Sequence, residues 1–124
     1  MEPDEVTGAQ FRMYRTTAGY VRVDYSDGAE LTGQDAHEGL QALASFTPGP
    51  SRPLLVDVRT TRSVSRQARK AFASTVVPAR VALLVESSLS RVLANFYLDV
   101  SRPSVPTKMF TELDAAELWL LDDH

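Results

Sequence analysis

The sequence predicts an α/β fold, a single domain in the order ββαβαβαβα with a mixed, mostly parallel sheet of four to five strands, an N-terminal hairpin and four helices. Three observations support this prediction. Two short and nearly continuous apolar runs, Leu54–Val58 and Val81–Val85, are typical of strands covered on both faces of a sheet. Segments with apolar residues at helical spacing follow each of these runs. Before the first helix, two shorter runs with partial alternation suit an antiparallel hairpin.

The N-terminal third begins without a pattern and then forms the hairpin. Residues 1–9 mix acid, proline and glycine without periodicity, which predicts a flexible N-terminus, and residues 10–124 are predicted to form the single domain. The hairpin strands are predicted at Gln10–Arg15 and Tyr20–Tyr25. Gly28 then permits a turn, because glycine adopts positive φ without steric cost.

Capping residues mark the first two helices. Thr32 is placed to cap a helix over Gly33–Phe46, with the carboxylate of Asp35 in its first turn. Ser65 stands at the corresponding position before a second helix, predicted over Arg66–Thr75.

The C-terminal third completes the alternation of strands and helices. A third helix is predicted to begin at Ser88, because apolar residues recur after it at regular helical intervals. A short strand over Thr107–Phe110 and a last helix over Glu112–Leu121 follow, with Thr111 as the expected capping residue of that helix.

Composition and charge argue against several classes of function. The net charge is −3 and the basic residues are scattered, so nucleic acid is not an expected partner. No apolar stretch approaches the ~20 residues that span a bilayer, and the first residues do not resemble a signal peptide, so we expect a cytoplasmic protein. Without cysteine and with only two histidines, the chain predicts no disulfide, no metal centre and no cofactor.

Catalytic patterns are also missing from the sequence. His37 is the only internal histidine, and the prediction places it on the first helix, away from the loops that follow the strands. The glycines do not form a phosphate-binding motif between a strand and a helix. The sequence therefore predicts a protein that is not an enzyme.

The most polar loop follows the first central strand, at the sheet edge where α/β proteins usually bind ligands. Its arginines and the start of the second helix favour an anion such as a phosphate or carboxylate. The alternative is that the serines only cap helices and the charges are solvated. Phosphorylation of one of the two serines is a further hypothesis. The candidate interaction or anion site comprises Asp57, Arg59, Arg62, Ser63, Ser65, Arg66 and Arg69.

Aromatic residues on the last two predicted helices suggest a second surface. Phe96 and Tyr97 on the third helix, and Trp119 on the fourth, are candidates for self-association as a homodimer. The alternative is that both helices pack deeply against the sheet, and the sequence leaves both interpretations open.

Two segments of the chain, together with the order of its elements, resemble the STAS-like domains. The segments are LLVDVRTTRSVSRQARKAF and RVALLVESSLSRVLANFYLDVSRPSVPTKMFTELDAAELWL. This family is related to bacterial anti-sigma factor antagonists and is also described as SpoIIAA-like; the chain looks closest to an uncharacterised bacterial branch. The resemblance extends from about Gln10 to Leu121. It implies a mixed sheet with helices largely on one side, and the binding of protein partners rather than catalysis.

The family's phosphorylation motif is not reproduced in this chain. In phospho-switched members, an Asp-Ser-Ser-Gly-like sequence begins the helix after the strand that ends in aspartate. Counted from Asp57, the aspartate of that motif falls at Ser65 and the phosphorylated serine at Arg66. The resemblance therefore does not imply the family's usual switch here.

Two functional hypotheses follow from the sequence. The first is a non-enzymatic regulatory module that binds a protein partner, still unidentified, through the Arg59–Arg69 region. The alternative is a binder of a small anionic or lipid-like ligand at the same edge of the sheet, as some STAS-like domains bind nucleotides or lipids. An open apolar cavity at the loop edge would favour a ligand, and a sealed edge would favour a protein.

Overall fold

A computed structural model describes residues 5–46, 53–73, 80–86 and 105–122 of the chain. These residues form eight strands and three helices. In chain order they are β1 (Glu5–Thr7), β2 (Phe11–Arg15), β3 (Val21–Tyr25), β4 (Glu30–Leu31), α1 (Gly33–Ser45), β5 (Leu54–Asp57), β6 (Ser63–Val64), α2 (Arg66–Ala73), β7 (Val81–Leu84), β8 (Thr107–Phe110) and α3 (Leu113–Leu120).

Six of the strands form one mixed sheet in the order β1-β2-β3-β5-β7-β8. The pairs β1–β2 and β2–β3 are antiparallel, and the pairs from β3 through β5 and β7 to β8 are parallel. The predicted α/β class, N-terminal hairpin and mixed sheet are therefore confirmed. The sheet has six strands rather than four to five, because Glu5–Thr7 pairs with β2 and adds an edge strand.

The extra strand corrects the prediction that the first residues lack structure. Three residues are too short to show periodicity, but their backbone completes hydrogen bonds that β2 would otherwise leave at the sheet edge. Val6 lies opposite Met13 and packs half-buried against the core.

Side chains of the central strand β5 alternate between two separate cores. Leu54 and Val56 face the layer formed by α1 and α2, whereas Leu55 is fully buried among residues that include Ala116 and Leu120 of α3. The described helices thus cover both faces of the sheet. Of the three described helices, α1 and α2 pack on one face and α3 packs on the other.

The capping predictions for the first two helices are confirmed. The hydroxyl of Thr32 accepts from the backbone N–H of Asp35 at 3.2 Å, and the carboxylate of Asp35 accepts from the backbone N–H of Thr32 at 2.9 Å. Ser65 caps α2 by accepting from the backbone N–H of Ala68 at 3.1 Å.

The C-terminal helix begins one residue later than predicted. Its N-cap is Glu112, which makes no side-chain capping bond, so the expected cap at Thr111 is wrong. Apolar packing of Ala116 and Leu120 against the sheet holds this helix instead. The third predicted helix, which begins at Ser88, lies outside the described residues.

Tyr20 joins α3 to the sheet through a side-chain hydrogen bond. Tyr20, immediately before β3, is 2% exposed, and its hydroxyl donates to Oε1 of Glu117 at 2.6 Å. The pKa of the Tyr20 hydroxyl is raised mainly by burial. The hydrogen bond to Glu117 and the negative charge of that residue raise it further. The phenol therefore remains a donor, and this charge-assisted bond fixes α3 against the amino end of β3.

Replacing Tyr20 by phenylalanine should lower the free energy of unfolding by about 1.5 kcal/mol, because the half-buried Glu117 carboxylate loses its donor. Urea unfolding would measure the change, and a double-mutant cycle with Glu117→Gln should show coupling between the two sites. Tyr14→Phe is the matched control, because Asp24 keeps Arg22 as a partner when the Tyr14 hydroxyl is removed. Equal losses for Tyr20→Phe and Tyr14→Phe would contradict this role of the bond.

Candidate functional site

The loop after β5 is held firmly by the segment that follows β3. The backbone N–H of Gly28, whose φ is +70°, donates to the carbonyl of Thr60 at 2.8 Å, and that of Arg62 donates to the carbonyl of Ala29 at 2.8 Å. Beyond them, β4 and β6 pair in parallel as a separate two-stranded sheet. Two-residue strands carry no periodic signal, which is why the sequence did not reveal them.

An apolar cavity of about 110 Å³ lies beside this loop, between the sheet and the helices α1 and α2. Nearly all of its lining residues are apolar, and they come from β2, β3, β4, α1, β5, β6, α2, β7 and the loop after β5. Gly39 of α1 also lines the cavity. A Cβ added at this glycine would lie 3.5 Å from the hydroxyl oxygen of Tyr25.

The burial of the central strands shows where the cavity lies along the sheet. Leu54 and Val81, at the amino ends of β5 and β7, are buried, whereas Val56 and Leu83, two residues further on, are only half-buried. All four side chains point to the same face, because side chains alternate along a strand. The cavity therefore extends toward the carboxyl ends of the parallel strands, the edge where the sequence predicted a site.

Three described side chains with polar groups line this cavity. Thr61 is 7% exposed, and its Oγ1 is buried without a hydrogen-bond partner in the described part of the chain. Arg69 of α2 is half-buried, and its Nη1 donates to the carbonyl of Val64 at 2.8 Å. Tyr25 of β3 is buried and brings a phenol hydroxyl. The cavity thus combines an apolar wall with two hydroxyls and one guanidinium, as small-molecule sites commonly do.

The predicted anion-site residues Asp57 and Arg59 do not reach this cavity. Asp57 follows Val56 and therefore projects from the opposite face of the sheet. There its Oδ2 accepts from Nη2 of Arg59 at 2.7 Å and from Nη2 of Arg22 at 3.1 Å. Arg22 also pairs with Asp24 at 2.8 Å. The charge of Arg59 is thus already compensated within the chain.

The pKa of Asp57 reflects this arrangement. Burial alone would raise the pKa of its carboxyl, but hydrogen bonds from Arg59 and the positive charges of Arg59 and Arg22 outweigh burial. The pKa is held below its ordinary value, and Asp57 is a charged partner of two arginines rather than part of an anion-binding surface.

The remaining residues of the predicted site are dispersed. Arg62 and Arg66 are exposed, and neither is seen in an ion pair with a carboxylate of the described residues. Ser63 is half-buried in β6, and Ser65 caps α2. Of the seven predicted residues, Arg69 alone lines the cavity.

Sequence reasoning missed Thr61, which lies beside Thr60 in a polar loop. Nothing in its type or position distinguishes it from an exposed threonine. Its burial follows from the pairing of this loop with the β4 segment, which brings residues distant in sequence together.

The residues predicted for self-association are only partly described. Phe96 and Tyr97 lie outside the described residues. Trp119 is half-buried. The centroid of its ring lies 5.7 Å from the centroid of the Phe110 ring and 5.1 Å from the guanidinium of Arg80. On the same helix Leu118 is 77% exposed. Self-association remains a prediction.

Neither a group of metal ligands nor a membrane-spanning helix is present among the described residues. Within the described ranges, no three His, Asp or Glu side chains are grouped as metal ligands. No helix in those ranges has both the length and the apolar character needed to cross a bilayer.

Solved structures support the fold. The chain is similar to an uncharacterised protein of the DUF3478 family with a SpoIIAA-like fold from Shewanella loihica PV-4, with a TM-score of 0.59 and 18% identity over 93% of this chain and 98% of that one. The fold is therefore SpoIIAA-like, which confirms the resemblance inferred from the sequence. A protein of unknown function from Arthrobacter sp. FB24 is 36% identical over 87% of this chain and 96% of that chain, with a TM-score of 0.36.

Sequence comparison defines the family. No curated protein matches the chain. The model of a domain of unknown function, DUF7793, matches residues 14–122, which is most of the sequence. The chain belongs to the DUF7793 family.

Proposed function

We propose that this protein is a non-enzymatic binding module whose ligand is a small, largely apolar molecule held between the sheet, α1 and α2. The observation that carries the proposal is the 110 Å³ apolar cavity at the carboxyl ends of the parallel strands. Ligands of open α/β sheets commonly bind at that edge. Of the two hypotheses drawn from the sequence, the cavity favours a small ligand over a protein partner.

The energetics of the cavity support an occupant. Unfilled space in a protein interior forfeits dispersion contacts and costs stability, by about 24 cal/mol per Å³ in the case measured most closely. A ligand that fills this space would recover part of that energy and add the burial of its own apolar surface.

The charges around the cavity narrow the kind of ligand. Arg69 is the charged residue among its described lining residues, so a ligand with a neutral or negative polar end suits the cavity better than a cation. The earlier idea of an anion bound by a group of arginines is weakened, because Arg59 is already paired with Asp57.

A second candidate function is the regulatory protein-interaction module favoured by the sequence. Arg62 and Arg66 support it, because both are exposed at the loop and helix start on a chain whose net charge is −3. Exposed arginines recognise carboxylates of a partner through paired hydrogen bonds. The expected partner is therefore a protein with an acidic surface.

Filling the cavity should abolish binding of an apolar probe. We expect toluene to shift the methyl NMR signals of residues such as Val56 and Leu83, and the variant Val56→Phe to weaken toluene binding at least tenfold by occupying the space. Leu83→Phe is a second variant of the same kind. Leu118→Phe is the matched control, because it enlarges an exposed residue on α3, whose contacts lie on the other face. Unchanged toluene binding in folded Val56→Phe and Leu83→Phe would refute the proposed site.

The second candidate makes a separate prediction. A stoichiometric protein partner captured by the wild-type chain should be lost from the double variant Arg62→Ala/Arg66→Ala, because its acidic groups lose two donors. Arg12→Ala serves as the control, since Arg12 is exposed but pairs with Glu5 on β1. Co-purification followed by quantitative mass spectrometry would measure retention. A partner retained equally by both variants would remove the Arg62–Arg66 surface from consideration.

A further inference from the structure

Thr61 has a buried hydroxyl without a partner. The residue is 7% exposed, it lines the apolar cavity, and its Oγ1 makes no hydrogen bond to any other described residue. Buried polar side-chain atoms are hydrogen-bonded in the large majority of cases, because an unpaired one has lost its water without replacement. This hydroxyl therefore calls for a specific explanation.

Backbone hydrogen bonds hold Thr61 and its neighbours at the wall of the cavity. The backbone N–H of Thr61 donates to the carbonyl of Val58 at 3.2 Å, and its two neighbours Thr60 and Arg62 are bonded to Gly28 and Ala29 at 2.8 Å each. The backbone is thus fixed on both sides of the residue. A valine would present almost the same shape to the apolar wall without burying an unpaired hydroxyl, so packing alone does not explain a threonine here.

The charged group on the described wall narrows the class of ligand that could accept a hydrogen bond from the Thr61 hydroxyl. Arg69 brings a positive charge to the same cavity, and no acidic residue is found among the described lining residues. A carboxylate accepts hydrogen bonds through both oxygens and carries the opposite charge. A carboxylate would therefore complement the Thr61 hydroxyl and the field of Arg69 together.

Resting on the proposed function, we infer that the ligand is a small monocarboxylic acid with an apolar body, whose carboxylate accepts a hydrogen bond from the Thr61 hydroxyl. Its body lies against Val56 and Leu83 in the apolar part of the cavity. An engineered apolar cavity of about 150 Å³ binds benzene, so a volume of 110 Å³ suits an acid with a small apolar body.

The test compares octanoate with toluene, which shares the apolar character but has no hydrogen-bonding group. Calorimetry should show that Thr61→Val weakens octanoate about tenfold, the loss expected for one hydrogen bond to a charged group. Toluene affinity should stay the same or increase. Thr61→Ser is the matched control, because it keeps the hydroxyl and should bind octanoate within a few-fold of the wild type.

A second readout uses the ligand-free protein. Removing an unpaired buried hydroxyl should raise the midpoint of thermal unfolding of Thr61→Val, while the same variant binds octanoate more weakly. A purely structural threonine would move the midpoint down and leave the ratio of octanoate to toluene affinity unchanged.

The outcomes separate this inference from the function on which it rests. If toluene binds in the cavity but Thr61→Val leaves octanoate affinity unchanged, the carboxylate assignment is overturned and the apolar site stands. If neither toluene nor octanoate causes shifts at the cavity residues of the wild-type protein, the proposed function itself fails. If Thr61→Val weakens octanoate binding and Thr61→Ser retains it, the result supports both the carboxylate assignment and the proposed function.

Discussion

Parallel pairing of β5 with β3 on one side and β7 on the other is the constraint on which the rest of the structure depends. It places four successive side chains alternately on the two faces of the sheet. Leu54 and Val56 face α1 and α2, whereas Leu55 and Asp57 face the opposite side. A shift of this strand by one residue would bring Asp57 to the apolar cavity and remove Val56 from it.

This alternation also keeps the charged residues of β3 and β5 away from the cavity. On the face that α3 partly covers, Asp57 pairs with Arg59 and Arg22, and Arg22 also pairs with Asp24, so charged groups are retained there at little cost. On the other face the described wall of the cavity is apolar except for Thr61, Arg69 and the hydroxyl of Tyr25. The unpaired Thr61 hydroxyl reduces stability, and residues that reduce stability are often those that serve a function.

Strong local patterns made most of the fold predictable. The apolar runs of β5 and β7 and the Thr32–Asp35 capping box act within a few residues, and the structure confirms both. The strands β1, β4 and β6 escaped prediction because two or three residues have no periodicity and form only by pairing with distant segments. The cap expected at Thr111 was wrong because packing, rather than a capping side chain, fixes α3.

The sequence pointed to the loop after β5, and the structure has an apolar cavity beside that loop whose lining residues are mostly different ones. The rule that ligands bind beyond the carboxyl ends of parallel strands located the loop after β5, yet it did not show which face each side chain takes. The arginines at 59 and 69 look equivalent in sequence, but Arg59 pairs with Asp57 and Arg69 lines the cavity. Thr61 became recognisable only through its burial, which depends on the contact between the loop and the β4 segment.

The most direct measurement of the central claim is an isotope-filtered NMR experiment on the labelled protein with unlabelled octanoate, which reports protons of ligand and protein that lie close together. The account predicts contacts from the octanoate chain to the methyl groups of Val56 and Leu83, and from the methylene next to the carboxylate to the methyl group of Thr61. Contacts confined to exposed residues such as Leu118 and Leu121, or no contacts at saturating octanoate, would contradict it.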